Sequence, residues 1–494
     1  MKRRSGTTNR LIALAALLAL APFPAAAAKR DKALEAQLRA HIAVLASDEY
    51  EGREPGTEGE AKTLRYLAKQ WFDIGLVSGT NLAGSPWFQP VTLVAREPAG
   101  SAAQFTRRGR KLVTGPGSVL MLTSGKRSLV ENAPVLFVGA GAGELPGRSE
   151  LAGRVALLLD GGAEGGERQN ALLKAGASAV LTVLDGERSL ESVSERRKRS
   201  GYALASETLG GDLEGFITAE GLQNLIGGAA ALAELETQAK ATGFAPRLLD
   251  FTATLEATTR ETTIRTHNLI GRLPGRRPEA GAVLFTSHWD HFGTCASPPA
   301  EHLICNGAID NASGVAALTE IARRLAKGPR PERDVYFVAT TAEELGLLGA
   351  QAFAENPPLP LKSIAAAFNI DSVAIAPAGS AFGMVGKGLT PLDPGIAAVA
   401  KQLKRTLNPN PAPDTYLRRQ DGWALQQHDI PSVLVSTAYG DIALLEKFFD
   451  SDYHRPSDVV RPTLELGGAA DDVAMLVALG RWFGDPRRYP SPSK

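Results

Sequence analysis

The sequence predicts an α/β fold, a mixed and largely parallel sheet sandwiched by helices, with a small β-rich domain inserted into it. Three observations lead there. From about residue 255 onward, apolar runs near 268–271, 282–285, 335–339, 364–368 and 432–435 alternate with stretches of helical periodicity. Runs without polar alternation suit strands buried on both faces, and strands alternating with helices imply crossovers that cover the sheet. Between about residues 115 and 244 the pattern changes to short β-like runs at 135–138, 155–159 and 179–183, with Gly-rich turns and one helical patch at 171–175. Finally, 494 residues with 44% hydrophobic and 22% charged composition have room for two or three domains and a large core.

Taken in order, the chain opens with Lys2, Arg3, Arg4 and Arg10 before an apolar run at 11–21 and small residues at 25–28. That is the plan of a secretory signal, expected over 1–28 with cleavage near Ala28, and the apolar run is too short to span a bilayer. The chain is therefore expected to be exported, periplasmic or secreted. It has no cysteine near the cleavage site and no other long apolar stretch, so no membrane anchor is expected. The first domain is expected to comprise residues 29–114 and 245–486, with 115–244 inserted and 487–494 as a tail. Leu34, Leu38, Ile42 and Leu45 have helical spacing. A second helix is announced by Thr57 and Glu60 at capping-box spacing, with Leu64, Leu67, Trp71 and Ile74 as its apolar stripe. A loop and a strand ending near Val94 follow.

Within the insert, the GAGAG run at 139–143 lacks the third glycine of a dinucleotide-binding turn, because Glu144 stands there. A plain turn is expected. The ERRKRS cluster at 195–200 reads as a solvated loop. Further on, Val315, Leu318, Ile321 and Leu325 form a helical stripe halted by Gly328 and Pro329. Two more helices are expected at about 395–406 and 470–483. The formal net charge of +1 gives no reason to expect nucleic acid or an anionic membrane as a partner. The two cysteines, Cys295 and Cys305, are expected to form a disulfide in an exported chain, in preference to a thiolate metal site.

Chemistry concentrates just after the predicted strands. His288 and Asp290 follow the 282–285 run, Glu343 and Glu344 the 335–339 run, and Asp371 the 364–368 run; Asp310 precedes the helix at 315. Sites in open α/β sheets form beyond the carboxyl ends of strands. Of the seven histidines, His41, His267, His302 and His428 lie in other contexts, leaving His288, His291 and His454. Imidazole and carboxylate are zinc ligands. A two-metal site needs one carboxylate bridging both ions and further ligands on each side. Of two adjacent glutamates, one can bind metal while the other accepts a proton. Singly, each residue has a bland explanation as a buried pair, a helix surface or a turn cap. Their conjunction in four strand-end contexts points to a metallohydrolase.

The segments SHWDHFG, NGAIDNASG, TAEELGLLGA, NIDSV and YHRPSD resemble the motif series of the co-catalytic di-zinc aminopeptidases. That family includes bacterial leucyl-type aminopeptidases and is related to glutamate carboxypeptidase and glutaminyl cyclase. ASDEYEGREPGTEGE resembles its N-terminal motif. APVLFVGAG and KAGASAVL are similar to the protease-associated domain. The resemblance implies a zinc exopeptidase fold with two zinc ions per chain. It implies that Asp310 bridges them, His288 and Asp371 complete one site, and Glu344 and His454 complete the other. Glu343 would be the general base, Asp290 would orient His288, and Tyr453 would help polarise the substrate carbonyl. The implied activity is an exported aminopeptidase acting on peptides; a carboxypeptidase, a glutaminyl cyclase and an inactive binding scaffold occur on the same fold. One departure is Gln420, Asp421, Gly422 and Trp423, where many members read S-D-H beside the substrate pocket.

Overall fold

Phe285 stacks between Phe337 and Phe368, with ring centroids 5.8 and 5.5 Å away, and the three rings belong to three adjacent strands. In the computed structural model, which describes residues 30–490 apart from 85, 141–143, 160–164, 185, 187 and 208–210, strands Ser432–Ser436, Ile364–Asn369, Ala282–His288 and Asp334–Thr340 lie side by side in that order. All are parallel, and every residue in them is buried. A sheet covered on both faces requires this, which explains the unbroken apolar runs. Gly383–Val385 and Arg247–Leu273 add antiparallel edges on either side, so the sheet is mixed. The expected signal segment, most of the GAGAG run and the end of the tail lie outside the described residues.

Alternate residues of these strands feed two cores. Phe285, Phe337 and Phe368 face helices Lys32–Leu45, Glu58–Ile74, Gly314–Lys327 and Gly467–Phe483. Leu284, Val338 and Ala367 face Phe353 and Leu425 on the opposite side. Helix Gly314–Lys327 follows its stripe: Val315, Leu318, Ile321 and Leu325 are all at most 3% exposed. Helix Glu58–Ile74 starts at Thr57, whose hydroxyl accepts the Glu60 N–H at 3.4 Å. The expected capping box is only half formed, because the Glu60 carboxylate accepts the Gly56 N–H and faces His267 instead. The helix expected at 395–406 occupies Asp393–Gln402.

Two long strands, Phe88–Arg107 and Arg247–Leu273, pair with each other and carry the sheet into a second unit. There Arg127–Phe137, Val155–Leu159, Ala179–Val183 and Leu213–Ile217 are parallel, with Val119–Thr123 antiparallel at the edge. Its core includes Phe105, Phe137, Leu157 and Leu181 together with Phe251, Ala253, Leu255 and Ala257. Residues from both sides of 115–244 therefore contribute to it. The solvated loop expected at 195–200 is instead part of helix Leu190–Ser200. Ser189 and Ser192 cap it reciprocally, and Leu190 and Val193 pack against Leu122 and Phe216, so one apolar face outweighs the run of charge. The Cys295–Cys305 disulfide is present.

Asp472, fully buried in the last helix, ties that helix to the end of strand Ser432–Ser436. Its carboxylate accepts from Ser436 Oγ at 2.5 Å and from the Thr437 N–H at 2.8 Å. Burial pushes this carboxyl up to about 7, against the pull of those hydrogen bonds. A folded value above the unfolded one means that the stabilisation is complete in acid and is lost as pH rises through about 7. Asp472→Asn should therefore flatten the decline in unfolding free energy between about pH 4 and 7, measured by urea titration. A slope identical to that of the native chain would contradict this assignment.

Candidate metal centre

The carboxyl ends of three of the four parallel strands lead into one buried cluster, as a doubly covered sheet favours. His288 is the last residue of its strand, and Glu343, Glu344 and Asp371 follow theirs within a few positions. Asp310 stands in the turn that enters helix Gly314–Lys327, and His454 follows helix Ile442–Ser451. His288 Nε2 lies 3.3 Å from Asp310 Oδ1, 3.6 Å from Asp371 Oδ1 and 3.9 Å from Glu343 Oε2. His454 Nε2 lies 3.3 Å from Asp310 Oδ2 and 3.0 Å from Glu344 Oε2. Asp310 thus turns one oxygen to each imidazole. Two overlapping groups have donor atoms within 4.8 Å of one another: His288 with Asp310 and Glu344, and His288 with Asp371 and Glu343, the residue expected as the base. The expected ligand His454 is in neither group and meets Asp310 and Glu344 from the other side.

The electrostatics are those of a cation site. Burial pushes Glu343 well above the usual carboxylate range, and Glu344 and Asp371 add to the rise. Burial also opposes ionisation of Asp310, yet His288 and His454 hold it well below that range. His454 is lowered by burial but raised more by Glu344 and Asp310, to about 9. Four buried carboxylates around His288 and His454 leave excess negative charge that a bound cation neutralises. His454 Nε2 is buried beside two carboxylate oxygens, yet among the described residues none is aligned to hydrogen-bond with it. Nitrogen and oxygen donors so arranged fit zinc.

Surrounding residues hold this geometry. The Asp290 carboxylate accepts the N–H groups of Glu343 and Glu344 at 3.2 and 3.4 Å. It lies 3.8 Å from His288 Nδ1, whereas the main-chain oxygen of Asp290 is 3.2 Å away. Asp290 therefore fixes the glutamate turn through its side chain and faces the imidazole most closely through its backbone. Burial pushes its carboxyl up to about 7, offset in part by His288. His291 Nδ1 lies 2.6 Å from Glu344 Oε1. Tyr453 stacks on His454 at 3.6 Å and lines a small pocket with Asp310, Glu343, Asp371, Arg419 and Tyr439. Burial, reinforced by Asp310 and Glu344, keeps the Tyr453 hydroxyl protonated. In the departing segment, Asp421 is buried against the Thr340 hydroxyl, and Trp423 lies beneath the Arg418 guanidinium.

Three supports escaped sequence reasoning, although each lies inside a quoted motif. Asp458 accepts the N–H groups of Ile309 and Asp310 at 2.9 and 3.0 Å. Asn311 donates to Ser287 Oγ and the Ile370 oxygen, and accepts from Gly314 and Ser372. Arg53, 1% exposed, donates to the carbonyl oxygens of Leu45, Trp289, Asn306 and Gly307 at 2.6–2.9 Å. Burial lowers its guanidinium to about 10, partly countered by Asp458 and Asp310, so it stays charged at neutral pH.

Fold and site together have the layout of a hydrolase-like metal centre on an α/β sheet, with imidazole and carboxylate donors gathered at the carboxyl ends of parallel strands. Residues 268–477 match the family described as Peptidase family M28, so the family that the motifs resemble is supported. The fold is also that of an aminopeptidase from Aneurinibacillus sp. strain AM-1, with a TM-score of 0.56, 20% identity, and coverage of 93% of this chain and 96% of that one. A vacuolar membrane protease of Candida dubliniensis is 34% identical over 91 residues, 18% of this chain and 9% of its own length. One of Schizosaccharomyces japonicus is 35% identical over 100 residues, 19% and 10% respectively. The chain thus spans about a tenth of the length of these curated relatives. Among the described residues, no helix is long and apolar enough to cross a membrane.

Replacing Arg53 by Met should cost roughly 3 kcal/mol or more, since it leaves buried carbonyl oxygens unpaired. Chemical denaturation with and without chelator should show the loss in both states, with weaker metal retention. Arg53→Lys, with three donors for four carbonyls, should rescue only part of it. Full stability and metal binding in Arg53→Met would refute the role given to this residue.

Proposed function

We propose that this chain is an exported zinc-dependent aminopeptidase that removes N-terminal residues from peptides. The observation that carries the reading is Asp310, whose two carboxylate oxygens face His288 and His454 as a bridging ligand would. In this reading two zinc ions bind per chain. His288 and Asp371 complete one site and Glu344 and His454 the other. When bound, the ions supply an acidified water and polarise the scissile carbonyl.

The chain's own groups do the rest. Glu343, outside the ligand set, accepts the proton of the attacking water and delivers it to the leaving amine. Asp290 holds Glu343 and Glu344 in their turn. The Tyr453 hydroxyl, kept protonated, donates to the oxygen that gains charge at the scissile carbonyl. A carboxypeptidase and a glutaminyl cyclase are the alternatives on this fold, and the substrates named below separate them from an aminopeptidase. Residues 115–244, similar to a protease-associated domain, would restrict access or hold longer substrates. The basic, apolar and small-residue order of residues 1–28 supports export.

Hydrolysis of an aminoacyl-nitroanilide but not of an N-blocked dipeptide is the expected discrimination, with close to two metals per chain by elemental analysis. Glu344→Ala should lose metal along with activity. Glu343→Gln should keep both metals while kcat falls by about 10²–10⁴-fold and KM changes little. A fully metallated Glu343→Gln enzyme with near-normal kcat would overturn the mechanism, and exchanged phenotypes would reverse the two roles.

A further inference from the structure

A second cavity, of about 210 Å³, lies in the smaller unit between helix Leu190–Ser200 and strands Val119–Thr123 and Leu213–Ile217. Its wall is apolar at Leu122, Val193 and Phe216 and basic at Arg188, Arg196 and Arg197. Glu214 is the one acidic residue among the described lining residues. It faces Arg197 at 3.8 Å, and burial raises its carboxyl while Arg197 lowers it. Gln169, only 6% exposed, also lines the cavity, and its Nε2 has no hydrogen-bond partner among the described residues. A buried amide donor left unpaired is costly unless something accepts from it.

We propose that this cavity binds an acidic peptide segment, with an apolar side chain against Phe216 and Leu122 and a carboxylate between the arginines and the Gln169 amide. A guanidinium and an amide N–H donate hydrogen bonds and cannot accept them there, and three arginines face one glutamate among the described lining residues, so the complementary ligand is an anion. The apolar wall requires that the anion carry hydrocarbon beside it, which a peptide supplies and a free inorganic anion does not. The cavity contains none of the residues assigned to the metal centre, so occupation here is not required for hydrolysis of a small substrate. The proposal does not rest on the aminopeptidase reading and can stand or fall without it.

The test is fluorescence anisotropy of the full-length mature protein with labelled, N-acetylated peptides that the enzyme as proposed cannot cleave. One alternates Glu and Leu, and two controls replace every Glu by Gln or by Lys. The acidic peptide should bind at least about tenfold more tightly than either control and weaken as salt is added. Arg196→Glu, at an exposed position, should weaken it by at least about tenfold. Gln169→Leu should also weaken it, while aminoacyl-nitroanilide hydrolysis and thermal midpoint stay at native values in Arg196→Glu. Equal binding of the three peptides, or unaltered binding in a folded Arg196→Glu variant, would overturn the proposal.

Discussion

The buried guanidinium of Arg53 is the constraint on which the rest of the metal centre depends. Four carbonyl oxygens from three separated segments meet on one side chain. One belongs to the first helix, one adjoins Asp290, and two lie just before the turn that presents Asp310. Loops usually carry higher conformational freedom than the elements they join. Here two of the site's loops share a single cation, so neither can move without unpairing the other. The same charge lies behind a cluster of carboxylates, which moderates their mutual repulsion when no cation is bound. Structural order and electrostatic balance come from one residue.

A second layer repeats this economy with hydrogen-bond acceptors. The Asp290 side chain collects the N–H groups of Glu343 and Glu344, and Asp458 those of Ile309 and Asp310. Each buried carboxylate spends its lone pairs on the backbone that carries a neighbouring functional group. Such groups raise the precision of a site more than its stability, because burying them has a desolvation cost. Burial accordingly pushes Asp458 up to about 6.

The catalytic sheet was legible because both faces of its strands are buried. Runs such as 335–339 carry no polar alternation, and the helices between them keep a regular stripe. The site residues were legible for a different reason: the chain has only seven histidines, and His288, Glu343, Glu344 and Asp371 fall at or just beyond strand ends. The long strand Arg247–Leu273 was harder to see. Its middle is rich in Thr and charged residues, although Phe251, Ala253, Leu255 and Ala257 alternate as a half-buried strand should. Arg53 was hidden because a lone arginine in a turn-rich stretch is usually solvated. Only the fold shows four carbonyls converging on it. The charged helix Leu190–Ser200 was obscured in the same way, since its apolar contacts come from residues distant in sequence.

The paired strands Phe88–Arg107 and Arg247–Leu273 give the molecule a mechanical character. The chain passes between its two cores along a ribbon whose strands are bonded to each other, with a register shift only between Thr258 and Thr259. A loop linker would act as a swivel. This ribbon acts as a leaf spring, stiff against shear in its own plane and able to bend across it. Displacement of one unit relative to the other would therefore have to bend this ribbon, and the register shift between Thr258 and Thr259 is the one break in its pairing.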